Sequence, residues 1–286
     1  MKLLSRLSPL LMSLLLGACA LSSASPGARI TPAPTMVTAH RGPVLVQYCV
    51  DDTGSYPRAD FQGANKLVAN SLPSAVVANA ESLTLYATLI SSTTFDPSNT
   101  LAPFIIPAVP NYPALPASPP TPSQANPVSY SATATALADE QSGAIASYNA
   151  QMAAVKAQID ATRGQVALDA KRLTDWNPRV DSHATSVWGC LQLARSRFAA
   201  QAGTKYLIIA SDMQNNTNVD YTVDFQSSQA LKGVNVRVIY YACQTAGSCE
   251  SLTATWKHIF TSSGATSVQF DDPAQSEALT SLFGGA

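Results

Sequence analysis

Charged residues are scarce in this chain. Asp, Glu, Lys and Arg together make up 12% of the 286 residues, and the formal net charge is -1. Binding of a nucleic acid needs a field of Lys and Arg side chains that neutralises phosphates, and no such field is present. A nucleic acid is therefore not the expected partner. The 46% of hydrophobic residues is enough to fill the core of one sizeable domain.

The apolar stretch near the N-terminus is too short to span a bilayer by itself. It runs from Leu10 to Leu16, after a positive region that contains Lys2 and Arg6. The small residues of Leu16-Gly17-Ala18-Cys19 follow it directly. A positive region, an apolar region and small residues in this order predict a signal peptide over residues 1–18.

Cys19 makes this segment resemble the lipobox of bacterial lipoproteins. The resemblance implies cleavage before Cys19 and attachment of acyl chains, such as palmitate, to its sulfur and its new amino group. Each buried methylene group adds about 0.8 kcal/mol to membrane binding, so several chains would hold the protein durably on the extracytoplasmic side of a bacterial membrane. An ordinary signal peptide with an incidental Cys is the alternative. Residues 19–42, rich in Ser, Pro and Ala, are then a flexible lipidated tether.

The remaining cysteines would lie in an oxidising compartment after export. Cys243 and Cys249 enclose a loop of five residues and are predicted to form a disulfide. Cys49 and Cys190 can pair as well, although spacing alone does not establish this connectivity. The alternative for Cys49, which lies within a predicted strand, is a small buried hydrophobic residue.

Apolar strand-like runs alternate with helical stretches from residue 43 to the C-terminus. Strands are predicted at 44–50, 83–90, 104–106, 206–211, 234–241 and 267–270, and helices at 58–79, 137–176, 185–200, 225–232, 252–263 and 276–283. Pro73 should kink or split the first helix. This alternation predicts an α/β fold, a three-layer, doubly wound and mostly parallel sheet that helices cover on both faces, as one domain over residues 43–286.

One insertion interrupts this pattern at residues 107–176. Its first part, 107–127, is rich in Pro, which excludes helix and central strand and favours extended conformations on the surface. Its second part is the long predicted helix, whose apolar positions alternate at spacings of three and four residues, as along a coiled-coil seam. The helix either lies on its own domain or pairs with a helix of another chain.

Oxygen-bearing side chains follow two of the predicted strands. Asp51, Thr53 and Ser55 alternate after the first strand, and Asp212 follows the fourth. Parallel sheets bind ligands at the carboxyl ends of their strands, which is where these residues are expected. Thr185, before a predicted helix, can add a third hydroxyl. Such an oxygen-only shell suits Mg²⁺, with Ca²⁺ or Mn²⁺ also possible, and the lack of His and Cys at ligand spacing argues against zinc.

At these residues the chain resembles the von Willebrand factor type A (vWA) family. The metal-ion-dependent adhesion site (MIDAS) of that family has Asp-x-Ser-x-Ser after the first strand, then a distant Thr, then an Asp after the fourth strand. Asp51-Asp52-Thr53-Gly54-Ser55, Thr185 and Asp212 match these three elements in order. Thr53 replaces the usual Ser, and the common Thr-Asp-Gly appears here as Ser211-Asp212-Met213. The resemblance covers about residues 43–283, apart from the insertion.

The resemblance implies a binding module and not an enzyme. The metal would keep one coordination position open, which a carboxylate of a partner protein fills, in adhesion or scaffolding. A competing hypothesis makes Asp51 the nucleophile of a magnesium-dependent phosphohydrolase similar to the haloacid dehalogenases. Those enzymes have Asp-x-Asp, whereas Asp51 and Asp52 are adjacent here. A third hypothesis is a metal-free structural lipoprotein, in which the same acids and hydroxyls only cap helices and close turns.

Overall fold

The computed structural model describes residues 42–79, 82–118, 127–178, 184–199, 201–217, 220–243, 246–279 and 282–283. The predicted signal peptide, the lipidation site Cys19 and almost all of the tether lie outside these residues. Proximity of Cα atoms divides the chain into two units, one of Met1–Thr31 with Pro116–Ala146 and one of Pro32–Leu115 with Ser147–Ala286. No helix in the described ranges is long and apolar enough to cross a membrane.

The second unit is built on a six-stranded sheet with the order β3-β2-β1-β4-β5-β6. The strands are β1 (Val44–Asp51), β2 (Leu83–Ile90), β3 (Thr100–Ile106), β4 (Thr204–Ala210), β5 (Val234–Ile239) and β6 (Ser267–Phe270). All neighbouring pairs are parallel except β2 and β3, which are antiparallel. The predicted fold class, a doubly wound and mostly parallel α/β sheet, is confirmed.

Helices cover both faces of this sheet. They are α1 (Arg58–Asn79), α2 (Pro127–Thr174), α3 (Val187–Phe198), α4 (Thr222–Ser227), α5 (Ala246–Ser262) and α6 (Pro273–Glu277), with a short 3₁₀ turn at Pro97–Asn99. One apolar core joins β1 and β2 to α1 and to the C-terminal part of α2. A second core, on the other face, joins β4 and β5 to α3, α4 and α5. The result is the predicted three-layer architecture.

Several element boundaries differ from the prediction. α2 begins at Pro127, ten residues before the predicted start, because Pro is well tolerated in the first turn of a helix and the following residues are rich in Ala. β3 begins at Thr100 rather than 104, and Pro103 fits within it because β3 lies at the edge of the sheet. α1 is not split at Pro73, since the helix continues to Asn79.

The last helices are also shifted. α6 starts at Pro273, because Asp272 and Gln275 form a reciprocal capping box that begins the helix there, and it ends at Glu277. α5 begins at Ala246, six residues before the predicted start, and α4 spans Thr222–Ser227 rather than 225–232. These differences move the ends of helices and leave the order of the elements unchanged.

The C-terminal part of α2 packs on its own domain, which is the first of the two alternatives for this helix. Its buried positions from Ser147 onwards are Tyr148, Ile159, Thr162, Val166, Asp169 and Leu173, and those from Ile159 to Leu173 recur at spacings of three and four residues. Val166 and Leu173 belong to the core that includes α1. Asp169 is buried within this stripe and forms an ion pair with Arg172 (3.3 Å).

Two disulfides are present in the described residues. Cys49 of β1 bonds to Cys190 of α3, with the Cα atoms 6.2 Å apart. Cys49 therefore forms a disulfide and is not a free, buried hydrophobic residue. Cys243 bonds to Cys249, as predicted, and closes the loop between β5 and α5.

Candidate metal centre

The carboxyl ends of β1 and β4 lie side by side at one edge of the sheet. The two strands pair in parallel up to Val50 and Ala210. Asp51 is therefore next to Ser211, and Asp212 follows immediately. Asp51, Ser211 and Asp212 are all fully buried. The parallel register thus brings together two carboxylates that are far apart in the sequence.

Both oxygens of the Asp51 carboxylate accept hydrogen bonds. Its Oδ1 accepts from the hydroxyl (2.6 Å) and from the backbone N–H (2.9 Å) of Thr53, which closes a tight turn after the strand. Its Oδ2 accepts from the hydroxyl of Ser211 at 2.8 Å. These bonds hold the plane of the carboxylate in one orientation.

The predicted hydroxyl groups form one connected cluster around Thr53. Thr185 Oγ1 lies 3.1 Å from Thr53 Oγ1 and donates to it. The Oγ of Ser55 lies 3.3 Å from the same Thr53 oxygen. Thr53 and Thr185 are buried, whereas Ser55 is exposed, so the cluster reaches the protein surface at Ser55.

Asp212 completes the group of five predicted residues. Its Oδ1 accepts the backbone N–H of Gln214 at 3.0 Å. Its Oδ2 is buried and has no hydrogen-bond partner within the part of the chain that the structure describes. Burial raises the pKa of the Asp212 carboxyl, while the Gln214 amide and a hydrogen bond from the Ser55 hydroxyl lower it. A buried carboxylate oxygen without a donor is costly, which makes it a natural position for a cation.

The pKa of Asp51 shows that a charged carboxylate is unfavourable at this buried position. Burial raises the pKa of Asp51 to about 6. The bonds from Thr53 and Ser211 oppose this rise, and the charge of Asp212 adds to it. None of the ion pairs among the described residues includes Asp51 or Asp212. Within the described ranges, these two neighbouring buried carboxylates therefore have no ion-pair partner that would balance their charge.

The donor set fits a hard divalent cation. Asp51 and Asp212 supply carboxylate oxygens, and Thr53, Ser55 and Thr185 supply hydroxyl oxygens. Mg²⁺ and Ca²⁺ prefer such oxygen ligands. No cluster of three or more His, Cys, Asp or Glu side chains suited to a metal occurs in the described ranges, so softer nitrogen and sulfur sites are not found there.

Met213 directly follows Asp212, where the sequence resemblance leads us to expect a glycine. Its backbone adopts the left-handed conformation, with φ of 60°, that glycine would favour. The Met213 N–H donates to the Ser211 hydroxyl (2.9 Å), and the Met213 carbonyl accepts from the Trp256 indole (3.0 Å). The Met213 side chain is fully buried. The loop after Asp212 therefore keeps a glycine-type turn without a glycine, because burial and these two bonds hold it.

Two asparagines hold the segment that carries Thr185. The Oδ1 of Asn216 accepts the backbone N–H of Thr185 at 2.5 Å, and the Asn216 N–H donates to the Thr185 carbonyl at 3.2 Å. The Oδ1 of Asn215 accepts the N–H of Val187 at 3.1 Å, in the first turn of α3. The loop after β4 thus positions the Thr185 hydroxyl beside Thr53.

Ser211, Asn215 and Asn216 are site residues that sequence reasoning missed. Ser211 could have been predicted from the sequence, because it is a hydroxyl residue directly before Asp212 at the end of a predicted strand. Asn215 and Asn216 had none, because an amide that binds backbone groups of a distant loop leaves no pattern in the sequence.

No protein-family model and no curated protein matches this chain. Among solved structures, the chain is similar to proximal thread matrix protein 1 from the mussel byssus, described with a zinc-occupied MIDAS motif, at 13% identity and a TM-score of 0.39. That match covers 85% of this chain and 44% of the byssus protein. The chain is also similar to the VWA domain of SpRpn10, at 8% identity and a TM-score of 0.42, over 85% of this chain and 98% of that domain.

Proposed function

We propose that this protein binds a divalent cation, Mg²⁺ in the first place, between Asp51 and Asp212. The observation that carries the proposal is the buried Oδ2 of Asp212, which has no donor among the described residues and lies near a second buried carboxylate. A cation would satisfy that oxygen and would balance the charge of both carboxylates. Thr53, Ser55 and Thr185 would supply further oxygens or hold water molecules that the cation retains.

The second part of the proposal is that the bound cation captures a carboxylate of a partner protein. Ser55 is exposed, so a ligand can reach the cluster from solvent. Large apolar side chains are also exposed in the segments that follow two strands: Phe95, in the turn after β2, is 60% exposed, and Val223, in α4 after β4, is 79% exposed. Exposed apolar groups near a metal would add contact area for a protein ligand. The domain would then serve in adhesion or scaffolding.

The third part concerns location. The N-terminal segment that resembles a lipoprotein signal supports processing at Cys19, acylation and residence on the extracytoplasmic side of a bacterial membrane. The two disulfides of the folded domain support an oxidising compartment. Mass spectrometry of the mature N-terminus tests this part: an acylated Cys19 supports it, and an unmodified N-terminus elsewhere contradicts it.

Calorimetric titration of the purified protein with Mg²⁺, Mn²⁺ and Ca²⁺ tests the metal site. Asp51→Ala and Asp212→Ala should abolish binding, because each removes a carboxylate that the cation would contact. Asp160→Ala is the matched control, since Asp160 is an exposed carboxylate on α2. Absence of binding of all three cations to the wild-type protein would refute the proposal.

A phosphohydrolase is the second candidate, and the geometry favours it less. Both oxygens of Asp51 already accept hydrogen bonds, from Thr53 and Ser211, and these bonds lower their nucleophilicity. Incubation with generic phosphate esters and Mg²⁺ separates the two functions. A binding module releases no phosphate, whereas release that Asp51→Ala abolishes would favour the enzyme.

A further inference from the structure

Arg58, the first residue of α1, contacts parts of the chain that are far apart in the sequence. Its guanidinium forms an ion pair with Asp52 and donates to Oδ1 of Asn177. It also donates to the backbone carbonyl of Pro178 at 3.1 Å. The guanidinium lies 4.1 Å from the centre of the Phe61 ring, over its face. One side chain thus joins the loop of the candidate metal centre to the segment that follows α2.

Other contacts hold this segment against α1. The Trp176 ring packs on Phe61, with the ring centres 6.3 Å apart. The Trp176 carbonyl accepts from Asn65 Nδ2 at 3.3 Å, and Asn65 Oδ1 accepts from the Tyr48 hydroxyl at 2.8 Å. Tyr48 is fully buried in β1. The end of α2 is therefore docked on α1 and, through Asn65, on the strand that ends in Asp51.

The position of Asp52 gives this docking a consequence for the site. Asp52 lies between Asp51 and Thr53, and its side chain is only 9% exposed. The turn that it belongs to is held by the Thr53 N–H bond to Asp51 (2.9 Å) and by the Tyr56 N–H bond to the Thr53 carbonyl (3.1 Å). Asp52 shares peptide groups with Asp51 and Thr53, so a shift of the Asp52 backbone also shifts the oxygens of Asp51 and Thr53.

We propose that Arg58 is a positioning residue for the metal loop, and that through Arg58 the docked end of α2 sets the affinity of the site. The inference rests on the proposed metal function. The insertion at residues 107–176 then contributes to the metal site, because its last residue, Trp176, and the two residues after it support the loop. Any partner that pulls Trp176–Pro178 away from α1 would weaken metal binding, which couples the insertion to the metal centre.

A purely structural role for Arg58 makes a different prediction. It would lower the melting temperature of the protein but would leave the loop order and the metal affinity of the folded molecules unchanged. Loop order can be measured without metal, as the rate of amide hydrogen exchange at Thr53 and Tyr56. Metal affinity can be measured separately by calorimetry with Mg²⁺.

The test compares Arg58→Ala and Asn177→Ala with Arg163→Ala in the full-length protein. Arg163 is the matched control, because it is an exposed arginine on α2 that pairs with Asp160. In Arg58→Ala, exchange at Thr53 and Tyr56 should be about 10-fold faster. The Kd for Mg²⁺ should rise about 10-fold, the lower end of the effect of residues that orient metal ligands. Asn177→Ala should change both quantities in the same direction by a smaller factor.

Exchange rates and affinity equal to those of Arg163→Ala would overturn the role of Arg58. A change in Arg58→Ala without any change in Asn177→Ala would overturn the coupling to the end of α2. If Arg58→Ala does not fold, Arg58→Lys replaces it, because Lys keeps the charge facing Asp52 but cannot reproduce the forked contacts to Asn177 and Pro178. If the wild-type protein binds no metal, the proposed function fails, while the exchange rates still decide the role of Arg58.

Discussion

The hydroxyl of Ser211 donates to Oδ2 of Asp51 at 2.8 Å, so the end of β4 orients the carboxylate that ends β1. The same Ser211 oxygen accepts the N–H of Met213 at 2.9 Å. One buried hydroxyl therefore supports both sides of the candidate metal centre. It ties the first motif loop to the loop that carries Asp212.

Replacement of Ser211 by Ala should weaken metal binding about 10-fold, because Asp51 loses a bond that orients it. It should also lower the free energy of unfolding by about 1–3 kcal/mol, since the N–H of Met213 and Oδ2 of Asp51 lose a partner. Calorimetry with Mg²⁺ and chemical denaturation measure the two effects. Ser196→Ala, on the exposed side of α3, is the control and should change neither. Unchanged affinity in Ser211→Ala would show that this bond does not shape the site.

The stability of the metal-free protein should depend on pH through Asp51. The pKa of this buried carboxyl is about 6 in the folded state, above its ordinary value of 3.8. The folded state thus binds the proton more tightly than the unfolded state, and the associated stability is present below about pH 4 and lost as the pH rises through about 6. The expected loss is at most about 3 kcal/mol.

Denaturation in EDTA at pH 4.5 and pH 7.5 measures most of this loss, since the loss begins near pH 4. Asp51→Asn should remove most of the pH dependence in this window, because the amide does not titrate. Metal binding should have the opposite pH dependence, because a proton on Asp51 competes with the cation. The Kd for Mg²⁺ should therefore rise as the pH falls below about 6. Equal pH dependence in the wild-type protein and Asp51→Asn would contradict the assignment.

Met213 offers a test of the backbone conformation at the second motif loop. At most positions Gly destabilises a protein relative to Ala, because the unfolded chain gains freedom. At Met213, with φ of 60°, the order should reverse, because Ala is strained in the left-handed region and Gly is not. Met213→Gly should therefore be more stable than Met213→Ala by about 1 kcal/mol, with the same buried side chain lost in both. Chemical denaturation of the Met213→Gly and Met213→Ala variants measures this difference in the free energy of unfolding. A less stable Met213→Gly variant would refute the prediction.

The two disulfides should differ in their contribution to stability. Cys49 and Cys190 are separated by 141 residues, whereas Cys243 and Cys249 are separated by 6. A bond that closes a longer loop restricts the unfolded chain more, so the loss of Cys49–Cys190 should lower the free energy of unfolding by about 2–3 kcal/mol more than the loss of Cys243–Cys249. Guanidinium denaturation of the two double Cys→Ala variants provides the comparison. Equal effects would indicate that loop entropy does not dominate.

The periodicity of the sequence predicted the elements that position the site. β2 and α1 have the predicted bounds, because a continuous apolar run and a helical stripe each end at turn-forming residues. Helix starts were less predictable. α2 and α6 each begin with a Pro, and α6 also has the capping pair Asp272 and Gln275. Such local signals predict the start of a helix less reliably than periodicity predicts its presence.

Contacts between distant segments could not be predicted. The contacts of Cys49 and of α2 depend on which surfaces meet after folding. The sequence was compatible with a bonded or a free Cys49, and with an α2 that packs on its own domain or on another chain. The side-chain oxygens of Asn215 and Asn216 accept backbone N–H groups at and just before the start of α3. The Arg58 guanidinium binds Asn177 and Pro178, which follow α2 and are 119 and 120 residues away along the chain. The sequence shows a methionine at position 213 where glycine was expected. It does not show that the Met213 backbone adopts the left-handed conformation, because the folded loop imposes that conformation.

The sequence by itself determined that two buried strands end in Asp51 and Asp212 at one edge of a parallel sheet, because the order of strands and crossovers places those ends together. Only the tertiary structure decided that both carboxylates are fully buried, and that within the described residues they have no ion-pair partner and Asp212 keeps an oxygen without a donor. The burial and the hydrogen bonds of the two carboxylates depend on side chains from β1, β4 and the loop before α3. These side chains meet only in the folded molecule.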